Sequence, residues 1–319
     1  MNTTTSSVAL CVLGMHRSGT SAIAGLLHYL GVDLGKDLMP PGPDNPKGFW
    51  EYGHAVAIHI GLLEVFSTYD IDFLPVAGNW LNHPDIPWYQ DYLANALRRD
   101  FSGKRLWAFK DPRICRLLPV WPAVFSAIGA DPRYILALRH PDEVASSLLK
   151  RSGIGYNESL LLWIGHTLEA ELHTRGRRRI VVAYEQILSD WKGQAARIAT
   201  GLGVNWPNSP ASAAKEINAF LDPTLRHYRA APMTTPDLAV AIHGADPRLT
   251  TWAFDLHRAL GGGSTNPAVK EADVDRIRRE VNLARPSLMR WRLPRPAHQR
   301  FATEYQGAEQ MVDRSSKSA

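Results

Sequence analysis

The chain has 319 residues, 45% of them hydrophobic, a formal net charge of +5 and two cysteines. That length and apolar content suit one large α/β domain or two small ones, while Cys11 and Cys115 exclude a disulfide framework or cysteine metal site and read as buried, reduced thiols. No stretch approaches bilayer-spanning length and no basic leader precedes the first apolar run, which predicts a cytoplasmic protein.

The apolar run Val8 to Leu13 has the length of a buried parallel strand, and Ile23, Leu26, Leu27 and Leu30 have helical spacing. Between them lies Gly14-Met15-His16-Arg17-Ser18-Gly19-Thr20-Ser21. A tight glycine-containing turn into a helix points unpaired amides and the positive end of the helix dipole at one place, which holds a phosphate-like anion. The two glycines keep the four-residue gap of a Walker A loop, but Thr20 stands where that motif has lysine and the cation is Arg17, inside the loop. A plain Gly/Ser turn is the bland alternative.

Residues 31–48 are too rich in glycine and proline for regular structure. Phe49-Trp50-Glu51-Tyr52 follows, and Ala55 to Phe66 reads as a helix. A carboxylate between aromatic side chains at such a junction suits general-base work, so Glu51 is the base candidate, with His54 in reserve; stabilising the helix N-terminus is the plainer role. Asn79 to Gln90 reads as a loop and Trp88 to Arg99 as a helix; Trp80, Trp88 and Tyr89 fit either an acceptor cleft or the core. Leu106 to Phe109 is a second strand, ending in Lys110-Asp111-Pro112-Arg113. Lys110 then projects into the crevice beyond the sheet, where it can stabilise a leaving oxygen, unless it pairs with Asp111 on the surface. Asp111 also reads as a Walker B acid, the best argument for a Mg²⁺-dependent kinase or nucleotide hydrolase.

Tyr134 to Leu138 is a third strand, followed by Arg139-His140-Pro141 and a helix to about Arg151. Arg139 and Ser147, eight residues apart, can meet on one phosphate. Glu158 to Thr174 is an apolar helix whose His166, Glu169 and His173 lack a zinc-binding spacing. Arg175 to Arg179 reads as an exposed basic turn, Ile180 to Ala183 as a fourth strand, and Trp191 to Leu202 and Pro210 to Phe220 as helices. Beyond Arg229 come proline-rich loops, a helix at Thr250 to Leu260, a hinge at Gly261-Gly262-Gly263 and a helix at Pro267 to Leu283. From Arg285 on, seven Lys/Arg face three Asp/Glu, a basic tail that is either solvated or weakly attracted to an anionic membrane surface or glycan. No zinc-finger, RRM or KH pattern supports nucleic-acid binding.

The loop around Arg17-Ser18-Gly19-Thr20-Ser21 resembles the 5′-phosphosulfate loop of sulfotransferases that use 3′-phosphoadenylyl sulfate (PAPS), and Arg139-x-Pro141 with Ser147 resembles their 3′-phosphate signature. Lys110-Asp111-Pro112 is similar to a segment of tyrosylprotein and Golgi-type carbohydrate sulfotransferases, and Val182-Ala183-Tyr184-Glu185 to a downstream strand element of the family. The resemblance implies that Arg17, Gly19, Thr20 and Ser21 hold the 5′-phosphosulfate and that Arg139 and Ser147 hold the 3′-phosphate, with Gly14, His16, Ser18 and Tyr184 completing the cofactor-binding set. It implies that Lys110 and Arg17 assist sulfuryl transfer to a hydroxyl, on a carbohydrate such as a cell-surface glycan or glycolipid precursor, with PAP as product and no metal. The family's C-terminal Arg-Lys-Gly adenosine motif is absent. The rivals are the ATP-dependent kinase or hydrolase and a non-catalytic nucleotide or anion sensor. The expected fold is an α/β P-loop-like domain over 1–229 with a central parallel sheet flanked by helices, a helical extension or cap over 230–284 and a basic, partly ordered tail over 285–319.

Overall fold

A computed structural model describes residues 7–42, 45–221, 235–264 and 268–293. Four strands, β1 (Ser7–Leu13), β2 (Leu106–Lys110), β3 (Ala130–Leu138) and β4 (Arg179–Ala183), form one parallel sheet in the order β2-β1-β3-β4. Val12 sits opposite both Lys110 and Ile135, so the carboxyl ends of β2, β1 and β3 open on one edge. The chain leaves β1 for one neighbour and later returns to the other, which makes the β1/β3 boundary the switch point where a doubly wound sheet binds its ligand.

Strand β1 is apolar from Val8 to Leu13 because both its faces are covered. Ala9, Cys11 and Leu13 enter one core, and Leu10 and Val12 the other. The second core is closed by α1 (Thr20–Tyr29), which follows β1 directly and contributes Ile23, Leu26 and Leu27. The first core receives α2 (Gly53–Val65), α3 (Ile86–Phe101) and, past the short α4 (Ile114–Leu117), α5 (Trp121–Ile128). After β3 come α6 (Pro141–Ser152) and α7 (Tyr156–Thr174); after β4, α8 (Tyr184–Ser189), α9 (Trp191–Leu202) and α10 (Ala214–Phe220) complete the second core.

The C-terminal helices α11 (Pro236–His243), α12 (Pro247–Ala259) and α13 (Glu271–Leu288) put Leu249, Trp252, Val274 and Ile277 into the same core as Ala9 and Cys11. Part of the expected basic tail is ordered: α13 runs through Pro286, and Arg292 donates to Asp72 at 2.6 Å. The remainder of that tail, the loops over 230–234 and Pro267 lie outside the described residues. The basic segment from Arg175 to Arg179 is a turn exposed at Gly176, Arg177 and Arg178, but its end residues are engaged. Arg175 and Arg179 bracket the buried Glu171 at 2.7 and 3.1 Å and reach Asp275 and Glu271 of α13. Helix α3 begins at Ile86, ahead of Trp88, with Pro87 in the first turn, where its missing N–H costs nothing. Strand β3 extends back to Ala130 because its first residues pair with Ser7 and Val8, although Asp131 and Arg133 hide the apolar pattern. Among the described residues no helix is long and apolar enough to cross a membrane.

Candidate active site

A cavity of about 470 Å³ opens at the carboxyl edge of the sheet. Its wall comprises the loop after β1, residues 45–49 with Glu51, Lys110 at the end of β2, Arg139 after β3, one face of α6, and Tyr184, Leu188, Phe220 and Leu221.

The loop has a backbone that few residues accept. Gly14 (φ 151°) and Gly19 (φ 87°) are left-handed, and so is Arg17 (φ 67°). A Cβ on Gly19 would collide with the Tyr184 ring. Gly19 starts α1 with no side-chain cap, and Gly19, Thr20, Ser21 and Ala22 all face the cavity, so the helix N-terminus is presented to whatever occupies it. Gly14 N–H donates to the Cys115 sulfur at 3.2 Å, and burial pushes that thiol up to about 12; neither cysteine forms a disulfide. Gly14 and Ser18 shape the loop without lining the cavity, whereas His16 lines it.

Arg17 ties the loop to the β3–α6 junction. Its Nε donates to Ser147 Oγ at 3.0 Å, and its carbonyl accepts from Arg139 Nη1 at 3.0 Å. Arg139 is aimed by Glu143 (2.9 Å) and lies 4.8 Å from the Tyr184 ring centroid. Arg139 and Ser147 therefore flank Arg17 on one cavity wall. Ser21 Oγ donates to the Phe49 carbonyl at 3.1 Å, joining the loop to residues 45–49.

At the other end Lys110 Nζ donates to Glu51 Oε1 at 2.7 Å, both side chains being buried. The aromatic neighbours of Glu51 in sequence do not isolate its carboxylate, because Arg113 also approaches it at 3.4 Å. Arg113 further holds Asp111 at 2.7 Å and Asp70 at 3.4 Å. Burial pulls the Lys110 ammonium below its ordinary lysine value, against the attraction of Glu51. The surface pair expected between Lys110 and Asp111 is absent. Asp111 turns inward to His59 Nδ1 at 2.7 Å, and Trp121 Nε1–H donates to His59 Nε2 at 3.0 Å, which leaves Nδ1 as the protonated nitrogen facing the carboxylate. Although burial opposes ionisation, Arg113 and His59 hold Asp111 well below the usual carboxylate range. Asp111 does not line the cavity, so it is not placed as a Walker B acid. His16 stands 3.7 Å from Asp70, and burial pushes its imidazole well below the ordinary histidine value.

His54 is brought elsewhere. It lies in the first turn of α2, meets Tyr92, Asp37 and Arg99, and does not line the cavity. Trp80, Trp88 and Tyr89 are not in the wall either; Trp80 packs on Phe66 and Trp88 is half exposed. His166 is a core residue bonded to the Leu162 carbonyl at 2.9 Å, and His173 pairs with Glu169 at 3.1 Å.

Four residues around the cavity have no role in the sequence reading. Arg113 was visible only as the end of Lys110-Asp111-Pro112-Arg113, and besides the neighbouring Asp111 its carboxylate partners, Glu51 and Asp70, come from distant segments. Lys47 grips the Ala219 and Phe220 carbonyls at 2.9 and 2.6 Å, a contact 172 and 173 residues long that no local pattern announces. Lys150 and Arg151 follow Ser147 by three and four positions, so helical spacing alone places them on its face.

No protein-family model matches the chain, and no curated protein matches it in sequence. Solved structures similar to it include the sulfotransferase domain of the Synechococcus PCC 7002 olefin synthase, at 17% identity and TM-score 0.42 over 86% of this chain and 94% of that one. Sulfotransferase STF9 from Mycobacterium avium matches at 15% identity and TM-score 0.44 over 78% and 75%. The sulfotransferase domain of the curacin biosynthetic pathway matches at 16% and 0.39 over 86% and 98%.

Proposed function

We propose that the chain transfers a sulfuryl group from PAPS to an acceptor hydroxyl. The observation that carries this reading is the convergence of two anion-binding elements on one cavity: the uncapped N-terminus of α1 with Arg17, and Arg139 with Ser147. A nucleotide with anionic groups at both its 5′ and 3′ positions fits that pair, and the missing Walker lysine and inward-turned Asp111 remove the usual grip on a Mg²⁺ triphosphate. Tyr184, Leu188 and Phe220 offer the same cavity apolar surface for a base.

PAPS supplies, when bound, a sulfuryl group carried on a phosphate leaving group. Arg17 and the first amides of α1 bind the 5′ anion, Arg139 and Ser147 the 3′-phosphate. Glu51 accepts the proton of the acceptor hydroxyl. Lys110, 2.7 Å away, donates to the oxygen on which negative charge grows, so proton acceptor and charge stabiliser are adjacent. The buried Arg113 holds Glu51 in place. The acceptor proposed is a carbohydrate hydroxyl, a class supported by the sequence resemblance alone. The test is incubation with PAPS carrying labelled sulfur and a mixture of glycans and small polyols. Wild-type protein transfers label and Glu51→Gln does not; equal labelling by both removes Glu51 from the chemistry.

A further inference from the structure

Glu51 meets two cations, Lys110 at 2.7 Å and Arg113 at 3.4 Å. A carboxylate gripped by two full positive charges is a poor proton acceptor, whereas the reading above gives Glu51 the hydroxyl proton. The arrangement behind Arg113 resolves this conflict. The nitrogen that approaches Glu51, Nη1, lies only 2.7 Å from Asp111 Oδ1, and the Arg113 backbone N–H donates to the same oxygen at 3.0 Å. Nη2 donates to Asp70 at 3.4 Å. Arg113 is thus bound closely to Asp111 and more loosely to Glu51 and Asp70.

Asp111 is itself fixed from the far side. Its Oδ2 accepts from His59 Nδ1 at 2.7 Å, and Trp121 Nε1–H donates to His59 Nε2 at 3.0 Å, so the imidazole is clamped at both nitrogens. All three side chains are buried, and Asp111 does not line the cavity. Asp111 therefore reaches the reacting groups through Arg113. The other charged or titratable groups around this chain are Lys110 at the end of β2, His59 within α2, and Asp70 in the segment after α2, with His16 of the first loop 3.7 Å from it.

We propose that Asp111 is a positioning residue for the transfer: it draws Arg113 off Glu51, so that Glu51 keeps Lys110 as its close partner and can take the hydroxyl proton. The proposal rests on the transferase reading. Removing the Asp111 charge leaves Arg113 to Glu51 and Asp70, and the lost negative charge and the closer guanidinium both favour the ionised form of Glu51. Removing His59 acts differently, because Asp111 then depends on Arg113 all the more.

The test is a pH titration, by nuclear magnetic resonance, of the full chain carrying glutamate labelled with carbon-13 at the side-chain carboxyl; the Glu51 signal is the one missing from Glu51→Gln. In Asp111→Asn its midpoint falls by about one pH unit relative to wild type, while the PAP dissociation constant changes less than about twofold. The acidic limb of labelled-sulfur transfer from PAPS to the glycan and polyol mixture moves down with it. His59→Phe also removes a buried partner of Asp111 and destabilises the fold, yet does not lower the midpoint, which separates an effect on the base from loss of stability. Where Asp111→Asn does not fold, Asp70→Asn removes another carboxylate from Arg113 and lowers the midpoint in the same direction. An unmoved midpoint in the variant that folds, an equal fall in His59→Phe, or a wild-type Glu51 that stays ionised until the protein unfolds overturns the proposal. Failure of the wild type to bind PAP, or equal transfer by wild type and Glu51→Gln, overturns the transferase reading instead.

Discussion

Replacing Arg113 by methionine tests whether the buried charges behind the cavity act as one unit. The guanidinium is 1% exposed and touches Glu51, Asp111 and Asp70, which are themselves 1%, 0% and 3% exposed. Methionine fills much of the volume but leaves these carboxylates without their common partner, and breaking a buried ion pair costs about 3–5 kcal/mol. At about 2 °C per kcal/mol for a chain of this size, the melting temperature falls by about 6–10 °C. The deficit also depends on pH. Asp111 is depressed in the folded state, so its contribution is fully present above the unfolded carboxylate value near ~4 and declines as pH falls below it. The variant therefore loses most near neutrality, and the gap to wild type narrows below about pH 4. Thermal unfolding of both proteins at pH 7 and pH 3.5 measures this. A fall of less than about 2 °C, or a deficit independent of pH, would refute the coupling.

Glu51→Gln lowers the transfer rate by about 10²–10⁴-fold while PAP affinity changes less than about twofold, separating chemistry from donor binding by paired kinetic and calorimetric measurements. Because burial lowers the Lys110 value and its protonated form is the active one, the pH–rate profile falls on the alkaline side earlier than an exposed lysine near ~10.4 would dictate; Lys110→Arg moves that limb upward, and an unmoved limb assigns it to another group. Gly19→Ala forces a Cβ onto the Tyr184 ring at a φ of 87°, costing about 2–4 kcal/mol and weakening PAP binding; Gly103→Ala, also left-handed (φ 75°) but with open space around its Cβ, separates backbone strain from the collision.

Where local pattern and tertiary environment agree, the sequence was legible. The apolar run of β1 from Val8 to Leu13, the glycines around Arg17 and the strand-end positions of Lys110 and Arg139 could be read because a doubly covered strand and a phosphate-type loop leave local signatures. His54 shows the limit. It stands three residues after Glu51, but the chain enters α2 at Gly53, and the helix turns its ring toward Asp37 and Arg99. The aromatic residues of 80–89 look like a sugar platform in sequence, yet Trp80 packs under Phe66, since spacing does not reveal which face a neighbouring helix covers. Arg113 illustrates a third case: a buried cation is recognisable only from the acids around it, and Glu51 and Asp70 arrive there through tertiary structure.

The most direct test of the central claim is the affinity of the chain for PAP against adenosine 5′-monophosphate, which lacks the 3′-phosphate, in wild type and Arg139→Ala. The wild type binds PAP more tightly by about ten- to hundredfold, the weight of charge-assisted bonds to one phosphate, and the variant loses that discrimination while retaining its affinity for the monophosphate. Equal binding of the two nucleotides by the wild type, or tight binding of ATP with Mg²⁺ and none of PAP, would contradict the account.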